Sequence, residues 1–260
     1  MSTCEAIVSD PVIDFQDVSL RFRVFSEGRI ASLKEWIIRR ATNGSGHHSV
    51  IRALDGVSFS VNRGEAIGVI GRNGAGKSTL LRIAAGILQP SAGVAVVRGR
   101  ISPVIELGIG FEQELTGREN IVFNGALLGR SQQEMNLRMD QIVDFAELDA
   151  FIDQPIRTYS TGMVARLAFA VATTVDAEVL LLDEVLSVGD ERFKRKCHQR
   201  MDEFRARGVT ILFVSHDLGS VESLCDRALW VADGKIAAAG DTPSVVEAYR
   251  TWAASHDPAE

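Results

Sequence analysis

An α/β fold built on a parallel sheet is what this sequence predicts, and three segments carry the prediction. Ala66–Ile70 is a short apolar run of strand type that leads into Gly71-Arg72-Asn73-Gly74-Ala75-Gly76-Lys77-Ser78-Thr79. Leu80, Leu81, Ile83, Ala84 and Ile87 then recur at helical spacing. Val179–Leu182 and Thr210–Val214 are short apolar runs of the kind required by parallel strands buried on both faces.

The remaining elements follow in chain order. Val12–Val24 alternates weakly and reads as a strand. Gly28–Val50 reads as an insertion: Ile30, Leu33, Trp36 and Ile37 fall on one helical face, and Asn43-Gly44-Ser45-Gly46-His47-His48 is a loop. Val57, Phe59 and Val61 alternate with polar residues as a half-buried strand does. Val94–Ile101 reads as one glycine-flanked β segment. From Gly117 to about Val175 the pattern is helical, and Thr116 with Glu119 has the spacing of a capping box. Asp233-Gly234 separates Arg227–Val231 from Lys235–Ala238 and signals a hairpin. Thr242-Pro243 opens a last helix.

Composition bounds the function. With 260 residues, 46% hydrophobic and 24% charged, the chain has the make-up of a globular protein with a substantial core. A net charge of −6 and the lack of a Lys/Arg run argue against nucleic acid as the main ligand. Cys4, Cys197 and Cys225 are too few and too scattered for a disulfide frame or a metal site, and read as reduced thiols. No apolar stretch reaches membrane-spanning length, and Glu5 and Asp10 sit where a signal peptide would be basic and apolar. A membrane role is therefore expected to run through a partner chain.

Gly71–Thr79 fits Gly-x-x-x-x-Gly-Lys-Ser/Thr. Between a strand and a helix, that pattern places backbone N–H groups and a positive helix end around nucleotide phosphates. Lys77 is expected to reach the β/γ-phosphates and Ser78 to complete a Mg²⁺ shell. The apolar strand Val179–Leu182 ends in Asp183-Glu184, which suits Asp183 to hold the metal and Glu184 to polarise the attacking water. His216 follows a second such strand and would face the same crevice, contacting the γ-phosphate and holding Glu184. Tyr159-Ser160-Thr161-Gly162-Met163, directly before a helical run, forms a second anion site from Ser160 and the Gly162 amide. One monomer has no need of two triphosphate cradles; two copies packed head to tail do.

Phosphate loop, Ser-Thr-Gly segment, Leu-Leu-Leu-Asp-Glu and Ser-His-Asp, in this order, resemble the nucleotide-binding subunit of an ATP-binding cassette (ABC) transporter over nearly the whole chain. Tyr159, Thr161 and Met163 depart from the usual Leu-Ser-Gly-Gly-Gln, while Ser160 and Gly162 stay. Those variants resemble the branch that exports O-antigen, teichoic acid and capsular polysaccharide. So do the segments Ile105–Phe111, Glu114–Asn120 and Asp183–Asp190 and the 28–50 insertion.

The resemblance implies a P-loop ATPase core with a parallel sheet, an antiparallel β subdomain and an α-helical signature subdomain. It implies a single ABC ATPase domain over 1–260: a nucleotide-binding region at 12–105, a helical region at 108–175, core again at 176–240, and a tail at 241–260. ATP and Mg²⁺ are the implied ligands, with Gly71, Asn73, Gly74, Ala75, Gly76, Lys77, Ser78 and Thr79 as the cradle. Phe22 matches the adenine-stacking aromatic, with Phe25 a second candidate. Glu106 stands where most of the family has a glutamine near the metal-bound water, and Ser187–Asp190 resembles the loop that crosses the dimer.

The implied partners are a second copy and a polytopic permease that handles a lipid-linked glycan, with the chain peripheral on the cytoplasmic face of the inner membrane. The Ile30–Arg40 helix is expected either near the membrane surface, with Trp36 at the interface, or packed on its own domain. No appended glycan-binding domain is expected, since the chain ends about forty residues past His216. Two other readings stay open: an exporter of a non-glycan lipid, and a soluble ABC ATPase in cofactor assembly.

Overall fold

The computed structural model describes residues 10–25, 48–105, 108, 110–184 and 189–256. Among the described residues nine strands run in chain order: β1 (Ile13–Phe25), β2 (His48–Val61), β3 (Ala66–Ile70), β4 (Ala92–Val97), β5 (Ile101–Val104), β6 (Val179–Asp183), β7 (Thr210–Val214), β8 (Arg227–Ala232) and β9 (Lys235–Asp241). β2, β1 and β4 form an antiparallel sheet; the other six form a second sheet in the order β5-β6-β7-β3-β8-β9. Its pairings are parallel except for the β8–β9 hairpin.

The apolar runs are continuous because each central strand feeds two cores. Ala66 and Ile70 of β3, Leu180 and Leu182 of β6, and Ile211 and Phe213 of β7 enter one cluster. Ile67, Val69, Val179, Leu181, Leu212 and Val214 enter the other, beneath the antiparallel sheet. With both faces covered, a polar residue in these positions would lose its water without gaining a partner.

The helices are α1 (Lys77–Ala84), α2 (Gly117–Leu127), α3 (Gln132–Leu137), α4 (Met139–Ala146), α5 (Thr161–Thr174), α6 (Glu191–Ala206), α7 (Leu218–Leu224) and α8 (Thr242–His256). α1 packs beneath the antiparallel sheet through Leu80, Leu81 and Ile83. α6 and α7 cover the other face, where Gly68 has no side chain to obstruct Val221: a Cβ there would lie 2.5 Å from its Cγ1. Helices α2 to α5 bring Ile121, Met135, Ile142, Leu167 and Val171 into a third cluster. α5 serves two cores, because Phe169 and Ala172 on its other face join the main one.

Local signals hold well. The Thr116 hydroxyl accepts from the Glu119 amide at 3.2 Å and the Glu119 carboxylate accepts from the Thr116 amide at 2.9 Å, closing the capping box. Asp233 and Gly234 take φ of 48° and 74° in the β8–β9 turn. α8 starts at Thr242-Pro243.

Two expectations need correction. Val94–Ile101 is not one segment: β4 pairs antiparallel with β1, β5 pairs parallel with β6, and Gly99 turns between them at φ 101°. β2 begins at His48, nine residues before Val57, so the strand takes in the end of the expected insertion. The Ile30–Arg40 segment lies outside the described residues. Among those residues no helix is long and apolar enough to cross a membrane. Cys197 and Cys225 are buried free thiols, each pushed up to about 12 by that burial, which leaves them unreactive.

Candidate active site

The turn after β3 is shaped by what its backbone must avoid. Gly71 and Gly76 take φ of 146° and 110°. A Cβ on Gly71 would strike the Val231 carbonyl oxygen, and one on Gly76 would lie 2.5 Å from the Ala53 carbonyl oxygen. The β8–β9 hairpin supports the turn from behind, with the Gly234 amide donating to the Ala75 carbonyl at 3.0 Å. α1 then starts with no side-chain cap at Gly76, so no side chain takes up its first-turn N–H groups.

Lys77 folds back over this turn. Its ammonium donates to the Gly71 carbonyl at 2.8 Å and the Arg72 carbonyl at 3.1 Å, and the residue is only 6% exposed. Burial lowers its pKa, while Glu184 and then Asp183 pull it back up. A buried cation is thus held by two backbone carbonyls within the field of Glu184 and Asp183, beside the uncapped start of α1, an arrangement that suits a polyanion.

A cavity of about 480 Å³ opens above the turn. Asn73, Gly74, Gly76, Lys77, Ser78 and Thr79 form its floor, Asp183 and Glu184 one side, and Phe22, Ile51, Arg52 and Ala53 the opposite wall. Phe22 and Ile51 are register partners on β1 and β2, and the Phe22 side chain is left 40% exposed. An exposed aromatic beside an anion cradle gives a ring something to stack on. Sequence reasoning missed the Ile51–Ala53 wall, since only the pairing of β2 with β1 brings it there. Gly71 and Ala75 shape the turn without lining the cavity.

Parallel pairing of β6 with β7, Asp183 opposite Val214, carries the acids to the sheet edge. Burial pushes Asp183 above the ordinary carboxylate range, offset in part by a hydrogen bond with the Ser78 side chain. Glu184 leaves the strand at φ 53°, its amide donating to the Val214 carbonyl at 2.9 Å. That turn aims its carboxylate at His216, whose Nδ1 lies 2.9 Å from Glu184 Oε1. The Asp217 carboxylate beyond caps α7 by accepting from the Gly219 amide at 3.0 Å.

His216 meets this cavity only through Glu184, and Ser160, Gly162 and Asp190 also stay out of its lining. The Ser160 hydroxyl caps α5 by accepting from the Met163 amide at 3.2 Å, and Ser160 and Gly162 are exposed at that helix start. Asp190 caps α6, accepting from the Phe193 amide at 2.9 Å, and that bond holds its carboxyl below the usual range. Glu106 and the Phe25 side chain lie outside the described residues. Among the described residues no three His, Cys, Asp or Glu side chains gather as a metal cage. Ser78 beside Asp183 instead supplies hard oxygen donors, the set that suits Mg²⁺ shared with phosphate oxygens.

Fold and site together define a phosphate-loop α/β nucleotide-binding domain. The chain belongs to the ABC transporter family, whose family model it matches over residues 54–187. It is 48% identical to the O-antigen export system ATP-binding protein RfbB of Klebsiella pneumoniae, over 76% of this chain and 80% of that protein. The protein of the same name from Myxococcus xanthus is 44% identical over 94% of this chain and 55% of its own length. The teichoic acids export ATP-binding protein TagH of Bacillus cereus (strain ZK / E33L) is 38% identical over 92% of this chain and 42% of its own. The chain thus spans about half the length of these last two relatives. Its fold matches the ATP-binding cassette MJ0796, solved as a post-hydrolysis dimer with ADP and Pi. The TM-score is 0.71 at 21% identity, over 88% of this chain and 98% of that one.

Proposed function

We propose that this chain is the ATP-hydrolysing subunit of an exporter that moves a lipid-linked polysaccharide, of the O-antigen, teichoic acid or capsule kind, across the cytoplasmic membrane. The observation that carries the hydrolytic part is the Glu184–His216 contact at 2.9 Å, at the rim of a cavity floored by Lys77 and flanked by Asp183. The substrate class is supported by the names of the relatives and by the Tyr159–Met163 variant.

In this reading Phe22 stacks on the adenine while Gly74, Gly76, Ser78 and Thr79 direct N–H groups at the phosphates. Lys77 offsets the charge that grows on the phosphate oxygens as the bond to the leaving group lengthens. Ser78 and Asp183, with Glu106, would hold Mg²⁺, which when bound supplies further charge neutralisation. Glu184 takes the proton of the attacking water, and His216 keeps that carboxylate aimed and contacts the γ-phosphate.

Ser160, Gly162 and Asp190 do not line their own cavity; in this reading they serve the cavity of a second copy packed head to tail. Nucleotide then joins the two copies and hydrolysis releases them. A polytopic permease reads that movement, with the chain peripheral on the cytoplasmic face of the inner membrane. Depletion of the chain tests the reading as a whole: a lipid-linked polymer should accumulate on the cytoplasmic side, and its failure to do so would sink the export assignment.

A further inference from the structure

The joint between the helical layer and the main core is built around one carboxylate. Glu147 ends α4 in the left-handed conformation, φ 56°, which turns its side chain towards α5 and α6. Three cations meet it there: Lys196 Nζ at 3.0 Å, Arg192 Nη2 at 3.4 Å and Arg166 Nη1 at 3.8 Å. Lys196 also donates to the Phe145 carbonyl at 2.8 Å. Lys196 and Arg192 belong to α6, Arg166 to α5, so one acid ties three helices.

Close by, each helix contributes a ring. Phe145 of α4, Phe169 of α5 and Phe193 of α6 lie with centroids 5.7–6.2 Å apart. Arg166 sits 5.8 Å from the Phe193 centroid, and Lys196 and Arg200 sit 4.9 Å and 4.6 Å from that of Phe145. The Phe193 amide is the one that Asp190 caps. The starts of α5 and α6, which carry Ser160–Gly162 and Asp190, are therefore held together through a cluster whose charge balance depends on Glu147.

We propose that Glu147 is a positioning residue that locks the start of α5 to the start of α6, so that Ser160, Gly162 and Asp190 meet a second copy as one surface. The inference rests on the two-copy reading above. Neutralising Glu147 leaves Arg166, Arg192 and Lys196 without their shared acid, with only the more distant Asp190 carboxylate acting on Arg166 and Arg192, and like charges at this range push the two helix starts apart. Glu147 does not line the chain's own nucleotide cavity.

The test compares E184Q, E184Q/E147Q and E184Q/E147D with ATP and Mg²⁺, reading the dimer dissociation constant by sedimentation. Binding of a fluorescent ATP analogue to the dilute monomer is read alongside. In E184Q/E147Q the dissociation constant should rise about tenfold, equivalent to about 1.4 kcal/mol, with monomer nucleotide affinity within about twofold. E147D, which keeps the charge, should recover to within about threefold of the parent. Association equal to the parent in E147Q, or a loss that E147D fails to reverse, overturns the proposal. Should E147Q not fold, Arg166→Gln takes its place, removing the cation by which Glu147 holds α5; it should weaken association in the same sense, and unchanged association overturns the proposal. If E184Q itself never dimerises, the two-copy reading fails and this inference with it, whereas failure of the Glu147 variants alone leaves that reading standing.

Discussion

His216 Nδ1 lies 2.9 Å from Glu184 Oε1, although the two residues follow different strands of the central sheet, β7 and β6. Both side chains reach solvent, 66% and 40% exposed, so as an ion pair they contribute little to stability. What the contact fixes is direction. His216→Ala is expected to lower kcat for ATP hydrolysis by about 10²–10⁴-fold, with the KM for ATP changed only a few-fold and the melting temperature unaltered. Steady-state kinetics with a thermal melt check this; a kcat near wild type would remove His216 from the mechanism.

Glu184→Gln keeps the size of the side chain and removes its capacity to take a proton. The expected result is an ATP-bound dimer that persists, seen by light scattering and by retained nucleotide after desalting. Undiminished steady hydrolysis would contradict the assignment of Glu184 as the base.

Asp183 provides a test in which stability and activity move in opposite directions. Burial, the largest influence, holds its folded-state pKa above the unfolded value despite the hydrogen bond from Ser78. The folded chain therefore binds that proton more tightly than the unfolded chain. Stability falls as pH rises from the ordinary value of 3.8 through the raised one, and the cost persists above it. Asp183→Asn should thus raise the melting temperature of the nucleotide-free chain at neutral pH, while hydrolysis is lost. The gain should shrink as pH drops towards the ordinary carboxylate range. A variant less stable than wild type at pH 7 would show that the acid is held comfortably in its charged form.

Gly76 has no room for a side chain, with φ 110° and the Ala53 carbonyl oxygen 2.5 Å from where a Cβ would sit. Gly76→Ala is expected to cost about 1–3 kcal/mol of stability and to abolish nucleotide binding, because the turn must move away from β2. Gly74 has a positive φ of 81° but nothing within 4 Å of a Cβ. Gly74→Ala should therefore bear only the conformational cost. Calorimetric titration with ATP on both variants checks this; equal effects would mean that crowding by Ala53 is not what requires the glycine.

The candidate site was legible wherever neighbours in the chain settle the chemistry. Gly71–Thr79, Asp183-Glu184 and His216 each follow a short apolar strand, and a strand's end decides where the next residues project. The Thr116 capping box and the Asp233-Gly234 turn are closed within a few residues. Glu147 gave no such signal, for its partner Lys196 is 49 residues away. Ile51, Arg52 and Ala53 gave none either, since they become a cavity wall only by pairing with β1.

By itself, then, the sequence determined the glycine turn before α1, the acids that line the same cavity and the alternation that buries the central strands, because hydrogen bonding, glycine conformation and apolar periodicity act over a few residues. Tertiary structure alone decided that β4 and β5, adjacent in the chain, belong to different sheets. It alone left Ser160 and Asp190 outside the lining of their own cavity and gathered three cations on Glu147. These depend on which distant surfaces pack together, and that is settled by burial summed over whole helices and sheets rather than by any short motif.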